Sequence, residues 1–318
     1  MKEITLNLRA RAMELLAGGR VDLVIGYGTG SLPEFVRPVF VDRPERAGEL
    51  IFNPLCAQNL TKYVLDYRDR PGRVAVVVKG CDSRSINQMM ADGQLDREKV
   101  FLLGINCPGL ADPSLLTGAA GRRDWQVEAD PEGFRLRWPG GERVLPRQEF
   151  LMYRCRTCEH HNPVVYDVLL GDPVPQDEVP DRFAEVRRIE SLAPAERAAY
   201  WDALFARCLR CYACRNACPA CTCRECIFDR PEPEWVARVV APQSNLAYHL
   251  VRAMHVAGRC VDCGECDRVC PVGIPLREIN RKVLKELAVL FGAPTPGTAY
   301  PAPEPLATFA VTDPEEWL

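Results

Sequence analysis

Apolar positions recur at helical spacing through residues 4–17 and stop at Gly18-Gly19, which predicts an amphipathic helix with a sharp end. The short apolar run Val21-Asp22-Leu23-Val24-Ile25 then suits a buried strand, and Gly26-Tyr27-Gly28-Thr29-Gly30 reads as a glycine-spaced turn after it. Further strands are expected at 35–41, 73–79 and 100–105. The last two flank a helix over 82–92, for which Asp82 is the expected N-cap. Strand, helix and strand in that order imply a parallel α/β sheet.

Beyond residue 120 the period shortens. Residues 125–128 and 134–138 alternate around Pro131-Glu132-Gly133, the pattern of a β-hairpin. A Pro-rich, acidic stretch over 171–181 reads as a linker, after which Pro194 opens a helix running to about Ala206. Another helix is expected over 244–257. The fold class is therefore α/β: a mixed α/β domain over 1–175, a mainly helical domain over 176–292 and a Pro-rich tail over 293–318. That tail has few periodic apolar positions, so it either stays disordered or lies along a partner.

Composition narrows the function by exclusion. With 47% hydrophobic and 26% charged residues the 318-residue chain looks globular, and a net charge of -3 gives no reason to expect nucleic acid or anionic lipid as partner. No apolar run reaches the roughly 20 residues that span a bilayer, and the first 20 residues lack a signal-peptide pattern. The expectation is a cytoplasmic chain without a membrane span. The pairs Arg122-Arg123 and Arg187-Arg188 lie too far along to be export signals and read as solvated charge. Sixteen cysteines are the one abnormal count, and in a reducing compartment they point to metal or redox sites.

Their spacing carries the chemistry. Cys208-x2-Cys211-x2-Cys214-x3-Cys218-Pro219 and Cys260-x2-Cys263-x2-Cys266-x3-Cys270-Pro271 repeat at an offset of 52 residues, and both have the bacterial ferredoxin spacing. Three thiolates on one tight loop grip three irons of a cubane, while the fourth cysteine ligates the other cluster. One [4Fe-4S] cluster is thus assigned to Cys208, Cys211, Cys214 and Cys270, the second to Cys260, Cys263, Cys266 and Cys218. Zinc prefers C-x2-C pairs separated by longer gaps. Trp201, Phe205, Tyr212 and Ile227 would set the solvent exposure of these clusters, with core packing as the plainer reading.

Cys155-x2-Cys158 alone could be a zinc half-site, a redox pair or coincidence. Cys81 and Cys107, however, each follow a predicted parallel strand, where open α/β sheets bind ligands. Cys81, Cys107, Cys155 and Cys158 can converge there on a third cubane; buried apolar thiols are the alternative.

Lys79-Gly80-Cys81-Asp82-Ser83-Arg84, Gly104-Ile105-Asn106-Cys107-Pro108-Gly109 and Cys155-Arg156-Thr157-Cys158 with Asn162-Pro163 resemble the beta subunit of coenzyme F-420-reducing hydrogenases and dehydrogenases. The resemblance covers residues 20–172 and rests on three motifs in order. It implies an FAD beside a [4Fe-4S] cluster, hydride exchange with a deazaflavin coenzyme, and Cys81, Cys107, Cys155 and Cys158 as cluster ligands. The chain departs from the family in placing ferredoxin motifs after the flavin domain, so substrate identity does not transfer. Chains of this order resemble partners in heterodisulfide-reductase-like or formate dehydrogenase complexes.

Cys56, Cys221, Cys223 and Cys226 remain, and the last three crowd directly behind the first ferredoxin motif as a candidate fourth metal site with Cys56 as the missing ligand. A zinc site or reactive thiols are the alternatives. Gly26, Gly28 and Gly30 lack the G-x-G-x-x-G spacing and read as a turn before they read as an FAD phosphate contact. His160 and His161 follow Cys158 closely but would find a cubane already complete, while His249 and His255 are expected to pack or face solvent. No nucleophilic triad, Walker loop or H-E-x-x-H is present.

The expected function is an iron-sulfur flavoprotein electron-transfer subunit of a larger oxidoreductase complex. Its partners would be other subunits of that complex and a hydride-carrying coenzyme. The rival reading is a flavin-free electron carrier and docking subunit without catalysis of its own.

Overall fold

A computed structural model describes residues 1–301 apart from 33, 177, 178 and 180, so residues 302–318 of the expected tail lie outside the described residues. The chain divides into two compact units, one of residues 1–86 with 94–182 and one of residues 87–93 with 183 onward.

The first unit is built on a mixed five-stranded sheet. Helix α1 (Lys2–Ala17) precedes strands β1 (Leu23–Thr29), β2 (Val36–Val41) and β3 (Val74–Val78), helix α2 (Gly80–Ala91) and strand β4 (Val100–Gly104). Helix α3 (Pro113–Ala120) leads into a three-stranded antiparallel meander, β5 (Gln126–Asp130), β6 (Gly133–Trp138) and β7 (Gly141–Pro146), and the two-residue β8 (Val168–Leu169) completes the main sheet. Its order is β2-β1-β3-β4-β8, with β1 and β2 antiparallel and the other pairs parallel. Every residue of β3 (VAVVV) and β4 (VFLLG) is buried, the continuous apolar run expected of parallel strands covered on both faces. Full burial of such a valine or leucine contributes about 1.5–3 kcal/mol, so these two strands anchor the unit.

Three expectations change here. Gly26 and Gly28 lie inside β1 rather than in a turn: an added Cβ would meet Leu50 Cδ2 at 2.4 Å at the first and Val39 Cγ1 at 2.4 Å at the second. They are glycines because neighbouring side chains press against the strand. Asp82 sits within α2 rather than capping it, and its Oδ2 accepts the Lys79 N–H at 3.1 Å. The expected hairpin gains β7, which pairs with β6 from Gly133↔Pro146 to Trp138↔Gly141. The start of the expected linker is also pinned, since Asn162 Nδ2 donates to Val174 O at 2.8 Å and Asn162 Oδ1 accepts the Val174 N–H at 3.0 Å.

The second unit is helical: α4 (Ala184–Glu190), α5 (Pro194–Ala206), α6 (Pro242–His255) and α7 (Leu276–Phe291). Helix α5 begins where expected because Pro194 presets its first φ, and Glu196 accepts the Ala193 N–H at 3.0 Å. Helix α7 stops at Gly292, whose φ of 61° a residue with a side chain rarely adopts. The two cysteine motifs form short loops, each with a single helical turn, Ala213–Asn216 and Glu265–Arg268. Phe205, Phe228, Tyr248, Ile274 and Leu276 pack with Cys208, Cys214 and Cys266 in one apolar cluster.

Candidate iron-sulfur centres

The internal repeat is visible in the backbone. Tyr212 and Gly264, 52 residues apart, precede the helical turns with φ of 59° and 69°; Arg210 and Asp262 take φ of 51° and 56°. Left-handed backbone at matching places folds each C-x2-C-x2-C segment tightly around its centre, and in the first loop the Arg210 N–H points at Cys208 Sγ, 3.4 Å away.

The structure brings Cys208, Cys211, Cys214 and Cys270 around one small cavity, walled by Tyr248, His249, Ile274 and Leu276. Cys218 from the first motif lies among Cys260, Cys263 and Cys266 of the second, close enough to raise all three thiols electrostatically. Burial is the larger cause there and pushes Cys260 up to about 12. Thiols buried this deeply ionise against the charge of a metal, which fits a thiolate-ligated cluster. Among the described residues no group of three or more His, Cys, Asp or Glu is drawn tightly enough to hold a single metal ion.

In the first unit three segments meet at the carboxyl ends of β3 and β4. Cys81 opens α2, Cys107 follows β4, and a turn over Tyr153–Arg156 leads from Cys155 to Cys158. The Cys107 N–H donates to His161 O at 2.9 Å, Met152 N–H to Leu110 O at 2.9 Å, and Val164 N–H to Ser83 Oγ at 2.9 Å. A Cβ on Gly80 would fall 1.9 Å from His160 O, so the segment after Cys158 crosses directly over the start of α2. Burial pushes the Cys107 thiol up to about 12, with Cys155 and Cys158 adding to it, and Cys81 is raised by burial first, then by Asp82, with Cys158 among the smaller causes. Cys107, Cys155 and Cys158 are therefore neighbours, and Cys81 lies within electrostatic reach of Cys158.

Beneath Cys81 lies a buried charge that sequence reading passed over. Lys79, 1% exposed, places Nζ 2.7 Å from Asp82 Oδ2 and 3.0 Å from Gln58 O, and also donates to the Tyr27 hydroxyl. Burial opposes the ammonium, but Asp82 and then Tyr27 hold it charged. A lysine ending an all-apolar strand was the available signal.

The remaining cysteines divide between the two units. Cys56 is fully buried in the first unit, its Sγ accepting the Asn53 N–H at 3.3 Å. In the second unit Cys221 acts electrostatically on Tyr248 and Arg252, Cys226 hydrogen-bonds Arg215, and Cys223 is exposed. His161 is buried with Nδ1 3.1 Å from Pro175 O, a packing role; burial pulls His160 down to about 4.

His249 packs, as expected, and does so beside a cysteine of the first motif. Its Nε2 lies 3.3 Å from Cys208 Sγ, its ring stacks on Phe205 at 4.9 Å, and burial pulls it down to about 3. The signal was positional: Asn245, Tyr248, His249 and Arg252 share one face of the helix between the two motifs.

Residues 205–274 match the 4Fe-4S dicluster domain family. The chain is 22% identical over 308 residues to the F420-dependent formate dehydrogenase subunit beta of Methanocaldococcus jannaschii, covering 77% of this chain and 79% of that one. It is 24% identical over 330 residues to the F420-dependent formate dehydrogenase 1 subunit beta of Methanococcus maripaludis, covering 85% and 84%. The chain resembles the F420-reducing beta-subunit family over most of its length. A match of that extent runs from the first unit into the second, so the likeness reaches beyond residues 20–172. A chain of the xenon-derivatized F420-reducing [NiFe] hydrogenase complex of Methanosarcina barkeri aligns with a TM-score of 0.41 and 18% identity, covering 50% of this chain and 63% of that one. No helix among the described residues is long and apolar enough to cross a membrane.

Proposed function

We propose that the chain is an electron-transfer subunit of a larger oxidoreductase of formate dehydrogenase, hydrogenase or heterodisulfide-reductase-like type, working with a hydride-carrying deazaflavin coenzyme. The observation that carries this reading is the crosswise gathering of Cys270 with Cys208, Cys211 and Cys214 around one cavity, and of Cys218 with Cys260, Cys263 and Cys266. The names of the relatives, beta subunits of F420-dependent formate dehydrogenases, supply the complex and the coenzyme.

Bound at these sites, [4Fe-4S] clusters supply one-electron transfer, and FAD would couple it to two-electron hydride exchange. The chain's residues hold and insulate. Cys81, Cys107, Cys155 and Cys158 would ligate a third cluster, held against Ala57, Leu110 and Met152, which keep water away from Cys107 and Cys155. Lys79 sets a positive charge beside Cys81. The glycines of β1 do not fit a phosphate loop, because Leu50 and Val39 occupy the space over them. The flavin part of the reading therefore rests on the family resemblance.

Anaerobic purification of the intact complex tests this. Extraction of a yellow chromophore with about 12 irons per chain, four for each of three clusters, is expected. Iron near eight would remove the cluster of the first unit. A colourless extract from an iron-loaded complex would leave the flavin-free carrier and docking subunit.

A further inference from the structure

Helix α6 fills the insert between the two cysteine motifs, and its buried face carries polar side chains where a core helix would carry apolar ones. Asn245, Tyr248, His249 and Arg252 are each at most 3% exposed, and their spacing aligns them on one stripe. Each reaches the first motif. Asn245 Nδ2 donates to Phe205 O at 2.9 Å and Cys208 O at 3.1 Å; His249 Nε2 lies 3.3 Å from Cys208 Sγ. The Tyr248 hydroxyl lies 3.7 Å from Cys214 Sγ, and Arg252 Nη2 donates to Cys214 O at 3.1 Å.

Buried polar groups cost stability unless something is gained by placing them. Against thiolate sulfur, a ring N–H and a phenolic O–H are both donors. Reduction of a cluster adds one negative charge, and hydrogen bonds to its sulfurs favour that more negative form. Around the first centre the neighbouring charges are cationic: Arg210 acts on Cys208 and Arg252 on Cys214. Around the second, Asp262 acts on Cys260, Glu265 on Cys263 and Asp267 on Cys266, each carboxylate itself held by an arginine: Asp262 and Asp267 by Arg277, Glu265 by Arg268. Arg252 also reaches Cys218 and Cys266, so it serves both centres, whereas His249 and Tyr248 touch the sulfurs of the first alone.

We infer that His249 and Tyr248 of helix α6 are positioning residues that set the cluster of Cys208, Cys211, Cys214 and Cys270 at the higher reduction potential of the pair, by donating to Cys208 Sγ and Cys214 Sγ. Electrons entering the second unit then rest on this cluster, and the cluster of Cys260, Cys263, Cys266 and Cys218 exchanges with it from a lower potential. This rests on the two-cluster reading of the proposed function.

The test is a mediator redox titration of the anaerobically prepared full chain, followed by electron paramagnetic resonance with iron measured in parallel. His249→Phe keeps the stack on Phe205 and removes the N–H. It should lower the higher midpoint by at least tenfold in the reduction equilibrium, about 59 mV for one electron, and leave the lower midpoint in place. Tyr248→Phe removes a single oxygen without opening a cavity and should shift the same midpoint in the same direction. His249→Gln, which restores a donor, should recover part of the shift. Full iron with both midpoints unmoved in His249→Phe and Tyr248→Phe, or with the lower midpoint moving instead, overturns the inference. Wild-type chain that binds no iron sinks the cluster reading itself, and this inference with it.

Discussion

Arg210 and Asp262 occupy the same place in the two cysteine loops, 52 residues apart, with nearly the same left-handed φ of 51° and 56°, yet they carry opposite charge. Each is tied down differently. The Arg210 guanidinium donates to Ser244 O at 2.7 Å and Ala237 O at 3.2 Å and lies 4.8 Å over the Tyr248 ring. Asp262 accepts two bonds from Arg277, at 2.6 and 2.8 Å, and lies 3.4 Å from Arg281. Backbone demand is conserved between the repeats while charge is free to differ, which is how one loop design can surround two clusters with different electrostatics.

The Asp262 pair makes the first prediction. Arg277 and Arg281 side chains are 3% and 0% exposed, so removing the carboxylate strips a buried guanidinium of a two-point partner. Asp262→Ala should cost about 3–5 kcal/mol, the range for breaking one side of a buried ion pair. Chemical denaturation of the iron-loaded chain measures it, and a loss below about 1 kcal/mol would place the charges in water.

Gly80 makes the second. The carbonyl that a Cβ would strike belongs to His160, backbone rather than a flexible side chain, so the segment carrying Cys158 must move. Gly80→Ala should therefore cost the chain about four irons while the two clusters of the second unit remain. Iron analysis with visible absorption reads this directly; unchanged iron would mean that the Cys158 segment is not a ligand-bearing wall.

Lys79 makes the third. Asp82 and Tyr27 are both fully buried beside it. Lys79→Met keeps the length of the side chain but strands the carboxylate, and a penalty of about 3–5 kcal/mol is expected in urea unfolding. Lys79→Met with Asp82→Leu should recover much of that loss, because an apolar pair of similar volume avoids the desolvation cost. Failure of the double substitution to recover stability would show that the charge itself is needed to hold the fold.

The sequence was most legible where chemistry demands spacing. The ferredoxin spacing foretells that Cys270 joins Cys208, Cys211 and Cys214 around one cavity, and the all-apolar strands around Val76 and Leu102 state their burial. It misled where a small residue has two explanations: Gly26 and Gly28 read as a turn because isolated glycines usually mark one, whereas here Leu50 and Val39 exclude a side chain from the strand. The partners of Cys208 and Cys214 were illegible for a different reason. His249 and Tyr248 look like ordinary helix residues until the loop before them is folded, since their role depends on contacts 41 and 34 residues away. Asp82 failed as a cap because the helix starts two residues earlier, at a glycine that must pass beneath the His160 carbonyl.

The last prediction concerns the cysteines left over. Cys56 already has an amide donor in its own loop, Cys226 is engaged with Arg215, and Cys223 is exposed. Burial pushes the Cys56 thiol up to about 12, the state of a neutral thiol in a closed core. Iron should therefore stay at about 12 per chain when Cys56 or Cys223 is replaced by serine, since three cubanes draw on the other cysteines. Serine at 56 can accept the Asn53 N–H as the thiol does, which keeps that variant folded. If instead Cys56→Ser and Cys223→Ser each lower iron by about four, with loss of the same spectroscopic signal, a fourth cluster draws on both and the count of three is wrong. A loss from Cys223→Ser alone would point to a site within the loop of Cys221, Cys223 and Cys226.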